Sequence, residues 1–144
     1  MREVIEELKK LEGKEQVFSF KVLDDTFLWS EDEELLSLGT LSTSALLENV
    51  HRCGYSILKS VIPSNYVSVV GVTSIRHLSV TPVHSIVSIK ILVKAVNENK
   101  VTFEGEAFDE FEEVASFSFE RVVVSLGSVS RKIKEKSDKI KSIN

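Results

Sequence analysis

The chain has 144 residues, 42% hydrophobic and 28% charged, which suits one globular domain and excludes a disordered or fibrous protein. Its formal charge of −4 speaks against a nucleic-acid binder, and no apolar run approaches the ~20 residues that would span a bilayer. A single cysteine, Cys53, points to a reducing compartment, and the charged start "MREVIEELKKLEGK" lacks the apolar stretch of a secretory signal, so a cytoplasmic location is expected.

In chain order, Val4, Ile5, Leu8 and Leu11 recur at helical spacing and predict a short amphipathic helix within residues 1–12. "VFSFKVL" alternates, with Phe18, Phe20 and Val22 on one face and Ser19 and Lys21 on the other, as a half-buried strand does. "DDTFLWSEDEELLSLG" reads as an irregular segment anchored by Phe27, Leu28 and Trp29, with a solvated acidic run over 31–34. Ser42 or Thr43 then offers a hydroxyl to cap a long helix. Its apolar face holds Leu46, Leu47, Val50, Cys53, Gly54, Ile57 and Leu58, and Pro63 and Asn65 stop it. Ser44, Glu48, Arg52 and Tyr55 line the polar side, where Glu48 and Arg52 stand at i,i+4 as an ion pair would.

The remainder reads as strands. "YVSVVGVTSIRHLSV" is long and β-branched; "IVSIKILVKAV" sets Val87, Ile89, Ile91, Val93 and Ala95 against Ser88, Lys90 and Lys94. "NEN" at 97–99 signals a hairpin, "KVTFEGEAF" returns, "DEFEE" at 109–113 turns again, and "VASFSFERVVVSL" follows. About five antiparallel strands around one helix make an α+β domain with a core over about 15–125. A last basic helix over 128–144 has only Ile133 and Ile140 to anchor it; residues 131–144 hold six Lys or Arg against two acids.

Two features need more than packing. His77 sits in a strand-like run, "VGVTSIRHLSVTPVHSIV", where an apolar residue would pack better. Arg121 ends the row Ala115, Phe117, Phe119, and a guanidinium there needs a carboxylate, a phosphate or an escape to water. Two histidines without a third ligand or a cysteine cluster do not suggest a metal.

The order of strand, capped helix and meander, with "LST" at 41–43, "VG" at 70–71, "RHLSVTPV" at 76–83, "FEGEAFDE" at 103–110 and "FERVVV" at 119–124, resembles the hotdog-fold fluoroacetyl-CoA thioesterase-like family. The resemblance implies a hotdog domain and a catalytic threonine, acid and histidine, which fall on Thr43, His51 and His77. His51 is thus a departure, because the family carries an acid there. His84 is another, replacing the glycine that follows Thr-Pro-Val. Pairing Thr40 with Glu48 would recover the acid's spacing but breaks the match at "LST", so the ungapped reading is preferred. Gly71 and Arg121 match a glycine and an arginine near the family's ligand, and Ser44 and Glu48 stand as further substrate-binding candidates.

The activity so implied is hydrolysis of a small or medium acyl-CoA thioester, with the helix N-terminus as oxyanion site and His77 as base. The alternative is an acyl-CoA-binding protein whose hydrolysis is weak or lost because of His51. Coenzyme A enters as substrate or ligand rather than as a resident cofactor. A homodimer is expected from the resemblance, and from the open edges of an isolated meander.

Overall fold

The computed structural model describes residues 1–24 and 27–143. Asp25 and Thr26 of the segment read from the sequence as irregular, and Asn144 of the helix expected over 128–144, lie outside them. The elements run α1 (Arg2–Lys9), β1 (Glu15–Lys21), α2 (Glu33–Leu38), α3 (Thr43–Lys59), β2 (Tyr66–His77), β3 (Ile86–Asn97), β4 (Lys100–Phe108), β5 (Glu113–Ser125) and α4 (Leu126–Ile143). The five strands form one antiparallel sheet in the order β1-β3-β4-β5-β2. This is the expected α+β arrangement of a meander around one long helix.

Alternation along the strands makes the core. Val87, Ile89, Ile91 and Val93 of β3, Val101 and Phe103 of β4, and Phe117 and Phe119 of β5 are buried beneath α3. From α3 come Leu46, Val50, Cys53, Ile57 and Leu58. Two glycines let the layers close. A Cβ on Gly54 would stand 2.7 Å from the Phe119 ring, and one on Gly105 would stand 1.9 Å from the Lys90 carbonyl oxygen.

Four details differ from the sequence reading. Ala95 is exposed and Val96 buried, because the β3–β4 register shifts between Val93 and Ala95 and reverses the alternation. The acidic run is more than solvated: Asp32 caps α2, its side chain accepting from the Glu34 and Leu35 N–H groups, and Gly39 ends the helix at φ 72°. Trp29 is 64% exposed and anchors nothing in the core. Helix α4 begins at Leu126, before the expected 128, and buries no residue. Among the described residues no helix is long and apolar enough to cross a membrane.

Candidate active site

Ser42, not Thr43, is the cap of α3. Its hydroxyl accepts from the Ala45 N–H at 3.0 Å and its carbonyl from the Leu46 N–H at 3.0 Å. Thr43 is therefore the first helical residue, with its hydroxyl free for other work. That oxygen lies 2.7 Å from Nδ1 of His77, the last residue of β2.

The link between β2 and β3 brings these two residues together. Leu41 donates its N–H to the Thr81 carbonyl at 2.8 Å, Val83 donates to Gly39 at 3.0 Å, and Thr40 bridges Pro82. The segment before α3 is thus pinned to the segment after β2. The turn before β5 holds the link from the other side. Thr81 Oγ1 donates to Asp109 Oδ2 at 3.2 Å, the Ser85 hydroxyl bonds the Glu110 carboxylate, and the Ile86 N–H donates to Glu110 at 3.1 Å. Asp109 and Glu110, the last two acids of "FEGEAFDE", therefore hold the link around the site. His84 is exposed and takes a left-handed φ of 79°, the conformation that favours glycine, which accounts for the glycine expected there.

Thr43, Ser44 and His77 open on a cleft of about 680 Å³, walled further by Trp29, Leu35 and Leu47. Trp29, expected from the sequence as an anchor of the irregular segment, instead lines this cleft. The first turn of α3 gives the cleft a positive dipole end. Among the described residues the Thr43 and Ser44 N–H groups have no hydrogen-bond partner. Burial holds the His77 imidazole below its ordinary pKa of 6.5; the Ser79 backbone offsets part of this without reaching hydrogen-bond geometry at Nε2. No acid orients that ring: Nε2 is buried and unpartnered among the described residues.

His51 lines a second recess of about 310 Å³, with Glu48, Arg52, Tyr55 and Arg121. Its Nε2 lies 2.8 Å from Thr73 Oγ1, and its ring meets Phe119 edge-on at 5.1 Å. Burial first, and the Arg121 charge second, lower its pKa from 6.5. Arg121 is only 8% exposed. Its guanidinium donates to the His51 carbonyl at 2.9 Å and to the Ser68 carbonyl and hydroxyl at 3.1 Å, over the Tyr55 ring. Glu48 makes the expected pair with Arg52 at 3.6 Å on the exposed surface. Gly71 is exposed at the β2 bulge, where the register shifts between Val70 and Val72, and lines neither cavity.

Thr43–His77 and His51–Thr73 thus mark two ends of the α3–β2 seam, ~12 Å apart along the helix axis. The structure joins Thr43, Ser44 and His77, and separately His51, Glu48 and Arg121. Cys53 takes no part: it donates to the Asn49 carbonyl, and burial pushes its thiol up to about 12.

The family model for the fluoroacetyl-CoA-specific thioesterase (FlK) matches residues 22–126. Among solved structures, a hot-dog-like protein from Thermanaerovibrio acidaminovorans is 25% identical, with a TM-score of 0.82 over 90% of this chain and 96% of that one. A thioesterase superfamily member from Thermus thermophilus is 17% identical, with a TM-score of 0.81 over 91% and 96%. The fluoroacetyl-CoA thioesterase FlK itself is 17% identical, with a TM-score of 0.78 over 87% and 96%. A search of the curated proteins finds no match. The family match spans most of the chain and includes both ends of the seam: the protein is a member of the fluoroacetyl-CoA-specific thioesterase family, with a hotdog fold.

Proposed function

We propose that the protein hydrolyses a small or medium acyl-CoA thioester at the Thr43–His77 end of the seam. The observation that carries this reading is the 2.7 Å contact between a hydroxyl and an imidazole at a helix N-terminus in an open cleft. The thioester carbonyl oxygen would accept from the Thr43 and Ser44 N–H groups, which offset the charge that develops on it. His77 takes the Thr43 proton as the hydroxyl oxygen attacks the carbonyl carbon; the carbon–sulfur bond then breaks and the thiolate takes the proton from His77. Water, activated by the same imidazole, cleaves the acyl–Thr43 ester and restores the hydroxyl.

His77 has no acid behind it, and His51 stands at the other end of the seam, so slow turnover is expected. The same observation favours the second reading, a protein that holds an acyl-CoA with little hydrolysis. Solved structures of similar fold support the ligand class: an FlK variant holds fluoroacetate and CoA, and a thioesterase from Streptococcus pneumoniae holds coenzyme A.

The active form is proposed as a homodimer in a reducing, cytoplasmic setting. Strand β2 is an edge of the sheet, twelve residues long, with Val69 and Val72 exposed at 48% and 62%. Pairing with a second β2 would satisfy that edge and join the two sheets into one.

Thiol release from a panel of acyl-CoAs tests the activity. Thr43→Ala and His77→Ala should each lower it roughly 10²- to 10⁴-fold, with an unchanged melting temperature. Equal turnover in all three proteins would remove both residues from the mechanism. Thermal stabilisation by acyl-CoA without thiol release would select the binding reading.

A further inference from the structure

Helix α4 begins where the family match ends, at residue 126, and buries none of its residues. Its sequence is nonetheless patterned. Leu126, Val129, Ile133, Ile140 and Ile143 recur at intervals of three, four and seven, which sets them on one stripe of the helix about 100° wide. Lys132, Lys136 and Lys139 border or enter that stripe, and none has an acidic partner among the described residues. An apolar stripe left open to water along a helix of 18 residues marks a surface that something covers.

The complementary surface is α2. Leu35 and Leu38 share one of its faces with Glu34, all three exposed. Residues 31–34 are four consecutive acids, without an ion pair among the described residues, whereas residues 131–144 hold six Lys or Arg against two acids. Through Leu35, α2 also walls the Thr43–His77 cleft, with the exposed Trp29 beside it.

Reach decides which chain supplies the basic helix. The Leu126 N–H donates to the Asn65 carbonyl at 2.8 Å, so α4 starts beside the first residue of β2. The cleft and α2 stand at the other end of that strand, by His77. The two ends of β2 are ~36 Å apart at about 3.3 Å per residue, and α4 is ~27 Å long at about 1.5 Å per residue. The helix therefore stops short of α2 in its own chain. Antiparallel pairing of two β2 edges over their full length sets Tyr66 of each chain opposite His77 of the other. One chain's α4 then starts beside the second chain's cleft.

We infer that α4 docks on α2 of a second copy of this chain, its isoleucines against Leu35 and Leu38 and its lysines against the acids of 31–34. Each subunit's last helix thereby roofs the other's cleft, adding an apolar wall beside Trp29 that one chain leaves open. The docking rests on the homodimer proposed above.

Zero-length carbodiimide coupling joins only amines and carboxylates that are already in contact. Applied to the wild-type protein, it should link Lys132, Lys136 or Lys139 to an acid of 31–34 in a product of twice the chain mass. The same link at single-chain mass, or lysines of α4 joined only to other acids, would overturn the proposal. Charge reversal tests the energetics. Lys132→Glu with Lys136→Glu, or Glu33→Lys with Glu34→Lys, should each weaken dimerisation at least tenfold in sedimentation at low salt. All four together should recover most of that loss, which also shows that the variants fold; losses that simply add would count against the contact. Two other occupants have their own signatures. A disulfide between two chains of Ile140→Cys, without links to α2, would pair α4 with α4. Co-sedimentation with anionic lipid vesicles, abolished by Lys132→Glu with Lys136→Glu and again without links to α2, would assign the helix to a membrane surface. Either result overturns the docking on α2. A dimer without α4–α2 links sinks this inference alone; monomers at every concentration sink the proposed homodimer as well.

Discussion

Ser42 and Thr43 are neighbours with hydroxyl side chains, and the backbone gives them different tasks. Ser42 faces back into the first turn of α3 and caps it; Thr43 points out to His77. Ser42→Ala should therefore cost about 1 kcal/mol in denaturant unfolding, whereas Thr43→Ala should leave the unfolding midpoint in place and act on turnover. Both candidate histidines are also shifted in one direction. Burial disfavours the imidazolium of His77 and of His51, so each stays neutral at pH values where a free histidine would begin to protonate. The acid limb of the pH–rate profile should lie below 6.5, with a plateau through neutral pH. Folding is coupled the same way. Below 6.5 the unfolded chain takes up protons that the folded histidines resist. The stability they contribute is complete above 6.5 and is lost as the pH falls through it towards the folded values. Unfolding midpoints measured across that window check the direction.

Elements meet where side chains are missing. Gly105 lets β4 lie against the β3 backbone, and no side chain can be fitted between a Cβ and a carbonyl oxygen 1.9 Å away. Gly105→Ala should cost at least about 3 kcal/mol, since a strand rather than a flexible side chain would have to move. Gly54→Ala makes a useful contrast. The obstruction there is the Phe119 ring at 2.7 Å, and alanine's helix propensity returns ~1 kcal/mol, so the net loss should be smaller. Chemical denaturation of the two variants ranks them; the reverse order would mean that α3, not the β3–β4 pair, is the rigid contact. The link from Leu78 to Ser85 shows a further economy. Its polar side chains bond to the turn before β5, and its backbone holds the entry to α3.

At the scale of the molecule, the sheet has two edges, and β2 is the one that carries His77. A mate on that edge would bury Val69 and Val72 and bring a second chain close to the seam. Val72→Lys should then yield monomers in sedimentation experiments and lower turnover with them. A variant that keeps its mass would show that β2 pairs with nothing. Helix α4 makes little difference to the core. Its isoleucines, 60% exposed at Ile133 and 58% at Ile140, match the weak anchoring legible from their spacing.

Periodicity alone determined most of the architecture. Strand faces repeat every second residue and helix faces every three or four, so Phe18, Phe20, Val50, Ile57, Phe117 and Phe119 declared their side without any partner being known. The motifs around Thr43 and His77 likewise named a pair, 34 residues apart, that the fold places in contact. Chain order could not say which hydroxyl caps α3, because either Ser42 or Thr43 satisfies that rule, and only the helix's actual start separates them. Nor could it show that Ala95 and Val96 exchange faces, since a register shift depends on the neighbouring strand. The partner of Arg121 lay furthest from reach. Its row of alternating residues demanded an acceptor, but two of its three acceptors are the backbone carbonyls of His51 and Ser68, beside the Ser68 hydroxyl, and backbone carbonyls carry no letter in a sequence. Tertiary packing alone decides which of them turn inward to meet a charge.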